Sequence, residues 1–272
     1  MIYFTFILTG ILEILLPIAI MLWLKKRFKV SWKLFGVGML TFLGSQLIHI
    51  PLLIGVRRMA QPFLPPYVIT VWANLLNAVI LGLLAGICEE TARLVGYYVL
   101  KDRAKAYPAA LALGDGHGGM EAILIGLSLL IQSIAVLWVS TSGVSILGIT
   151  TQDALAFTNF AWYMPVISLF ERMTAMTIHI VLSVMVWRAY TRRAWGWFAG
   201  AIFYHAFIDA LAVTLISLGY SIFLIEGILG VFMVINLGLL YLAYHQWGQE
   251  PGTAAVITPG EDEENLSMDN QK

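Results

Sequence analysis

Seven long apolar runs, set apart by charged and Pro/Gly-rich breaks, leave this chain one class of fold. A helix rises about 1.5 Å per residue, so roughly 20 residues cross the ~30 Å hydrocarbon layer of a bilayer. The runs cover approximately Tyr3–Leu24, Lys33–Ile54, Tyr67–Leu100, Ala109–Val139, Trp162–Trp187, Gly196–Leu218 and Ser221–His245. Lipid offers backbone N–H and C=O groups no hydrogen-bond partner, and a helix satisfies them within one segment. The chain is therefore read as all-α, a polytopic transmembrane helical bundle of about seven spans. Only 12% of its residues are charged, against roughly a quarter in soluble domains.

Basic residues orient the bundle. Lys25, Lys26, Arg27, Lys29 and Lys33 follow span one, Lys101, Arg103 and Lys105 follow span three, and Arg188, Arg192 and Arg193 follow span five. The opposite side carries only Arg57 and Arg58. The positive-inside rule then predicts an outside N-terminus and a cytoplasmic C-terminus. The first run has no basic n-region or small-residue cleavage site, so it is expected to be a span and not a signal peptide. Residues 1–248 are expected to form a single integral-membrane domain with its catalytic half at 67–218, and residues 249–272 an acidic disordered tail. Zero formal net charge argues against nucleic acid as a partner. The lone Cys88 forms no internal disulfide and, without further cysteines, no thiolate metal site.

The fourth run carries Pro108 and the stretch Gly114-Asp115-Gly116-His117-Gly118-Gly119. Such a stretch predicts a broken or re-entrant helix near residues 108–120, lining a cavity. Ionisable side chains inside spans cost on the order of 2.5–3.5 kcal/mol each, so every one needs a partner, a cavity or a role. Glu13, His49, Glu89, Glu90, Arg93, His117, Glu121, Glu171, Arg172, His179, His205, Asp209 and Glu226 are such residues. Glu89 stands 12 residues from Lys101, His117 12 from Lys105, His179 9 from Arg188 and His205 12 from Arg193. Those offsets predict one shared depth, about 14–18 Å from the basic ends, reached from the cytoplasmic side.

Helical spacing adds neighbours. Arg93 is four residues from Glu89 and three from Glu90, so it can hold either carboxylate. His205 and Asp209 are also an i,i+4 pair. Two adjacent carboxylates do not both ionise cheaply in low dielectric, which suits one of Glu89 and Glu90 to general-base work. Glu13, His49 and Glu226 carry no matching motif and read as structural, and Gly82, Gly86 and Gly96 as close-packing positions between helices.

Glu89-Glu90-Thr91-Ala92-Arg93 resembles the EExxR motif, and His205-Ala206-Phe207-Ile208-Asp209 the HxxxN/D motif, of the superfamily containing the CAAX prenyl endopeptidase and bacteriocin-processing enzymes. The Gly116–Ala122 stretch and the Glu171-Arg172 to His179 segment look more like the YhfC family of intramembrane metalloproteases, related to the PrsW peptidases. The second motif departs from FxxxH of the CAAX enzymes: Leu113 precedes His117, and Ala175 precedes His179, at the phenylalanine position. His117xxxGlu121 instead resembles the FxxxE of PrsW with histidine replacing phenylalanine.

The resemblance implies a membrane-embedded metallo- or glutamate-type endopeptidase in a bacterial cytoplasmic membrane. Its partners would be lipid and a membrane-protein or peptide substrate. Glu89, Glu90, Arg93, His205 and Asp209 would be catalytic, with Glu89 and Glu90 activating water. His117, Glu121, His179 and His205 would supply ligands to a divalent metal, zinc by the preference of imidazole and carboxylate. A metal-free route through a glutamate, with His205 and Asp209 polarising the carbonyl, is the other reading. The chain has no HExxH, the zincin signature. A proton- or ion-coupled transporter, or a non-catalytic immunity or scaffold protein, would use the same buried groups differently. A transporter more naturally has inverted repeats, and none is visible.

Overall fold

The computed structural model describes residues 2–60 and 71–248. The start of the third expected span, 67–70, and the acidic tail, 249–272, lie outside the described residues. Eight α-helices follow one another among the described residues: α1 (Ile2–Phe28), α2 (Trp32–Ala60), α3 (Val71–Leu100), α4 (Tyr107–Ser142), α5 (Thr151–Phe157), α6 (Met164–Arg192), α7 (Gly196–Ser217) and α8 (Ile222–Trp247). All but α5 are long and apolar enough to cross a membrane. The all-α bundle expected from hydropathy is the architecture found. A 3-10 turn, Lys101–Ala104, links α3 to α4.

Helix α5 follows the loop after α4 and was not expected from hydropathy, being too short to register there. Its signal is local. Thr150 and Asp153 form a capping box, in which the Thr150 hydroxyl accepts from the Asp153 amide and the Asp153 carboxylate accepts from the Thr150 amide at 2.8 Å. Those Thr150 hydrogen bonds hold the Asp153 carboxyl below the usual aspartate range.

Helix α4 is central, packing against α1, α2 and α6, while α3 lies on α2 and α7, and α8 on α6. The broken or re-entrant helix expected near residues 108–120 is not formed: α4 runs without interruption through that region. Pro108 sits in its first turn, where the missing N–H would have had no helical partner anyway. The glycines serve packing instead. A Cβ on Gly116 would lie 2.1 Å from the Phe35 carbonyl oxygen, one on Gly119 2.5 Å from Cβ of Pro17, and one on Gly114 2.7 Å from Cβ of Ser183. Glycine therefore lets α1, α2 and α6 reach the α4 backbone, an arrangement lipid-embedded helices favour because close approach supplies dispersion and not water release. Gly82, Gly86 and Gly96 do the same for α3, against Ala206, Ile202 and Thr41.

The bundle half nearest the basic loops is closely filled. Tyr97, Tyr107, Leu113, Leu182 and Trp187 are buried there. The Tyr97 hydroxyl meets the Ser183 carbonyl at 2.8 Å, the Ser183 hydroxyl donates to the Ala110 carbonyl at 2.9 Å, and Trp187 Nε1 donates to the Ala104 carbonyl at 3.0 Å. Tyr107 donates to the Leu240 carbonyl at 3.0 Å, so α8 is tied to the same plug.

Candidate active site

Helices α3, α4, α6 and α7 bring Glu89, His117, His179 and His205 together immediately beyond that plug. Glu89 Oε2 is 3.2 Å from His117 Nε2 and 3.9 Å from His205 Nε2. Ring centroids of His117 and His179 are 5.2 Å apart, and those of His179 and His205 5.5 Å. All four side chains are buried. The shared depth predicted by counting from the basic residues is thus a shared place.

Hydrogen-bond partners assign which nitrogen of each imidazole carries the proton. Thr41 gives its single hydroxyl proton to the Gly38 carbonyl at 2.6 Å, so toward His117 Nδ1, 2.9 Å away, it accepts. His117 is therefore protonated on Nδ1, and its Nε2 lone pair faces the Glu89 carboxylate. Arg93 has only donors, so its Nη2, 3.1 Å from His179 Nδ1, donates there. The His179 proton then lies on Nε2 and is donated to Glu121 Oε2 at 2.9 Å. Glu121 is in turn held by Arg172 Nη1 at 2.9 Å. His205 Nδ1 donates to Glu90 Oε1 at 2.8 Å, which leaves Nε2 toward Glu89 and, at 3.5 Å, Asp209.

His179 is held on both nitrogens, by Arg93 and Glu121, whereas His117 and His205 are each anchored through Nδ1, by Thr41 and Glu90, with Nε2 turned toward Glu89. This is the arrangement in which an outer hydrogen bond orients a histidine for a metal. Atoms of Glu89, His117 and His179 lie within 4.8 Å of one another. His117 Nε2 and Glu89 Oε2 face each other at 3.2 Å. The five carboxylates Glu89, Glu90, Glu121, Glu171 and Asp209 are accompanied by the two guanidiniums Arg93 and Arg172. Of these carboxylates Glu89 and Glu90 are buried, and a divalent cation beside Glu89 would offset the cost of its charge. The donor set fits one.

The structure sorts the expected site residues. Arg93 takes Glu90 and not Glu89, and Glu90 is wholly buried between Arg93 and His205. Glu121 contacts the outward nitrogen of His179, so in this geometry it orients that ring. Asp209 stands beside His205, as its i,i+4 spacing predicts.

Two residues outside the expected catalytic half also reach the cluster. Thr41 of α2 contacts His117, and Gln46 Nε2 donates to Glu89 Oε1 at 3.1 Å. Their signal was present as a polar series, Thr41, Ser45, Gln46 and His49, within an apolar run. His49 itself makes no hydrogen bond, and Glu13 is tied to Ser168 at 2.8 Å.

A cavity of about 150 Å³ adjoins the cluster, its wall including Glu89, His179, His205, Asp209, Glu121 and Arg172. It extends from the cluster away from the basic loops, whereas the sequence reading expected approach from the basic-loop side.

Seven long apolar helices around a buried Glu/His cluster able to hold a metal ion define an integral, multi-pass membrane protein. The sequence model of the YhfC intramembrane metalloprotease family matches residues 12–229, and the chain belongs to that family. The match takes in α2, source of Thr41 and Gln46, as well as the four helices of the cluster. The chain is 28% identical over 218 residues to the uncharacterized membrane protein YhfC of Bacillus subtilis (strain 168), covering 76% of this chain and 82% of that one. No solved structure matches.

Proposed function

We propose that this protein is an intramembrane endopeptidase of the cell membrane that hydrolyses a peptide bond of a membrane-associated polypeptide at the Glu89 cluster. The observation that carries the reading is the buried meeting of Glu89, His117 and His179, with ligand atoms within 4.8 Å of one another. His117 and His205 would hold a divalent cation through Nε2, and His179 would join them through Nδ1 once Arg93 releases that nitrogen, zinc being the ion that imidazoles suit best. When bound, that ion supplies Lewis-acid polarisation and a more acidic water.

The chain's own residues do the rest. Glu89 borders the cavity, and Gln46 fixes one of its oxygens, so the other is free to take a proton from water. Hydroxide adds to the peptide carbonyl, the C–N bond breaks, and Glu89 returns the proton to the leaving amine. Glu90, Glu121 and Thr41 keep the imidazoles oriented. Arg93 balances the charge of Glu90, and Asp209 packs against His205 on the cavity side.

Proteomics of the membrane fraction tests this reading by comparing wild type, a deletion strain and Glu89→Gln. A precursor that accumulates in both mutant strains identifies the activity and its substrate together. Purified Glu89→Gln should retain bound metal while hydrolysis of that precursor falls by about 10²–10⁴, and His117→Ala should lose the metal. Processing unchanged in the Glu89→Gln strain would sink the peptidase reading.

A further inference from the structure

Exposure of the carboxylates in the cavity wall rises in one direction from the cluster, while Arg172 beside them is 7% exposed. Glu90 and Arg93 are fully buried, and Glu89, His179 and His205 are 8% exposed or less. Glu121 reaches 26%, Glu171 36% and Asp209 39%. All three lie farther from the basic loops than the buried set. The cavity wall follows the same course: on α6 it climbs from His179 through Ala175 to Glu171, and on α7 from His205 through Asp209 to Ala212. Glu171 is seven residues from the start of α6, and Ala212 five from the end of α7. The outer limit of the cavity is therefore about 8–10 Å of helix from the end of the bundle opposite the basic loops.

In the other direction the route is filled. Tyr97 lies one turn beyond Arg93 toward the basic loops and is fully buried, with its hydroxyl spent on Ser183. Tyr107, Leu113, Leu182 and Trp187 fill the space around it. Opening that half would break several buried hydrogen bonds and unpack aromatic side chains.

Resting on the peptidase reading above, we propose that substrate enters the cluster from the end opposite the basic loops. The substrate class is then a membrane-anchored or exported polypeptide that presents its cleavable segment in that half of the membrane. By the positive-inside rule this is the extracytoplasmic half. A cavity of about 150 Å³ admits water and an unfolded strand but no folded domain. Its wall suits such a strand: Ile178, Ile208 and Leu229 offer apolar contact, and the half-exposed carboxylate of Asp209 can accept a hydrogen bond from a backbone amide.

Cysteine accessibility tests the direction of entry without depending on hydrolysis. In a Cys88→Ala background, Ala175→Cys and Ala212→Cys place a thiol at two heights on two helices of the cavity wall. Ser145→Cys marks the far end and Arg103→Cys the basic-loop end. A charged, membrane-impermeant methanethiosulfonate is applied to intact cells and to inverted vesicles. The expected result is modification of Ala175→Cys and Ala212→Cys from the same side as Ser145→Cys and not from the side of Arg103→Cys. Modification from the Arg103→Cys side, or from neither side, overturns the proposal. Failure of the peptidase reading would be seen separately, as unchanged processing in the Glu89→Gln strain.

Discussion

The two halves of this bundle are built from the same helices and differ in what those helices do at their contacts. Toward the basic loops, Gly114 and Gly116 of α4 bring neighbouring helices into contact, as Gly82, Gly86 and Gly126 do in the other half, and buried tyrosine, serine and tryptophan groups close the remaining space. Away from those loops the helices leave a cavity whose wall carries Glu121, Glu171, Arg172 and Asp209. The lesson concerns division of labour. A site that must hold several charges in lipid needs a rigid support on one side and water on the other, because buried ions demand both fixed partners and residual solvation. The Glu89 cluster lies where the two halves meet.

The largest effect should follow from breaking the support of the charges. Arg93→Leu leaves Glu90 buried beside His205 without its cation and is expected to cost about 3–5 kcal/mol, measured by denaturation of the purified protein in detergent. Glu90→Gln in the same chain should recover part of that loss, since it removes the charge left unpaired. No recovery would mean that Arg93 supports the bundle by packing alone.

The packing contrast can be tested next. Gly116→Ala forces Cβ against the Phe35 backbone and should destabilise by about 1–3 kcal/mol. Ala175→Val, in the cavity wall, should stay within about 0.5 kcal/mol of wild type. Equal costs at the two positions would erase the distinction between a filled and an open half.

Thr41 belongs to the support but is read through the site. Thr41→Val keeps the shape and removes the hydroxyl that orients His117, so zinc affinity measured by chelator competition should fall by about 10–100-fold. Thr41→Ser should restore it. Unchanged affinity in Thr41→Val would show that the His117 tautomer does not depend on this contact.

The smallest effect lies outside the spans, at α5. Asp153 has its carboxyl held below the usual range by Thr150, so its contribution is present above the unfolded value and lost as pH falls through the folded one. The difference in thermal midpoint between wild type and Asp153→Asn should therefore be present near neutral pH and close below the ordinary aspartate value of 3.8. A difference that persists in acid would assign the cap to the neutral side chain.

Much of this molecule was legible in one dimension. Span length and hydropathy determined the helices, because lipid leaves the backbone no alternative. Counting from basic residues gave the depth of Glu89, His117, His179 and His205, because rise per residue is fixed. Rotation about each helix axis was not available in the same way. That is why Arg93, offered two carboxylates by spacing, was assigned to Glu90 only by the approach of His179 and His205. It is also why Thr41 and Gln46, on a helix without a motif, joined the site only once α2 was placed against α4 through Gly38 and Gly116. The glycine stretch of α4 was misread as a break because glycine lowers helix propensity, and only the neighbouring helices reveal that the missing side chains make room for them. Sequence alone settled that charged groups lie at one level inside a helical membrane bundle. Tertiary structure decided which proton each imidazole keeps and which end of the bundle is open, since both depend on contacts between helices far apart in the chain.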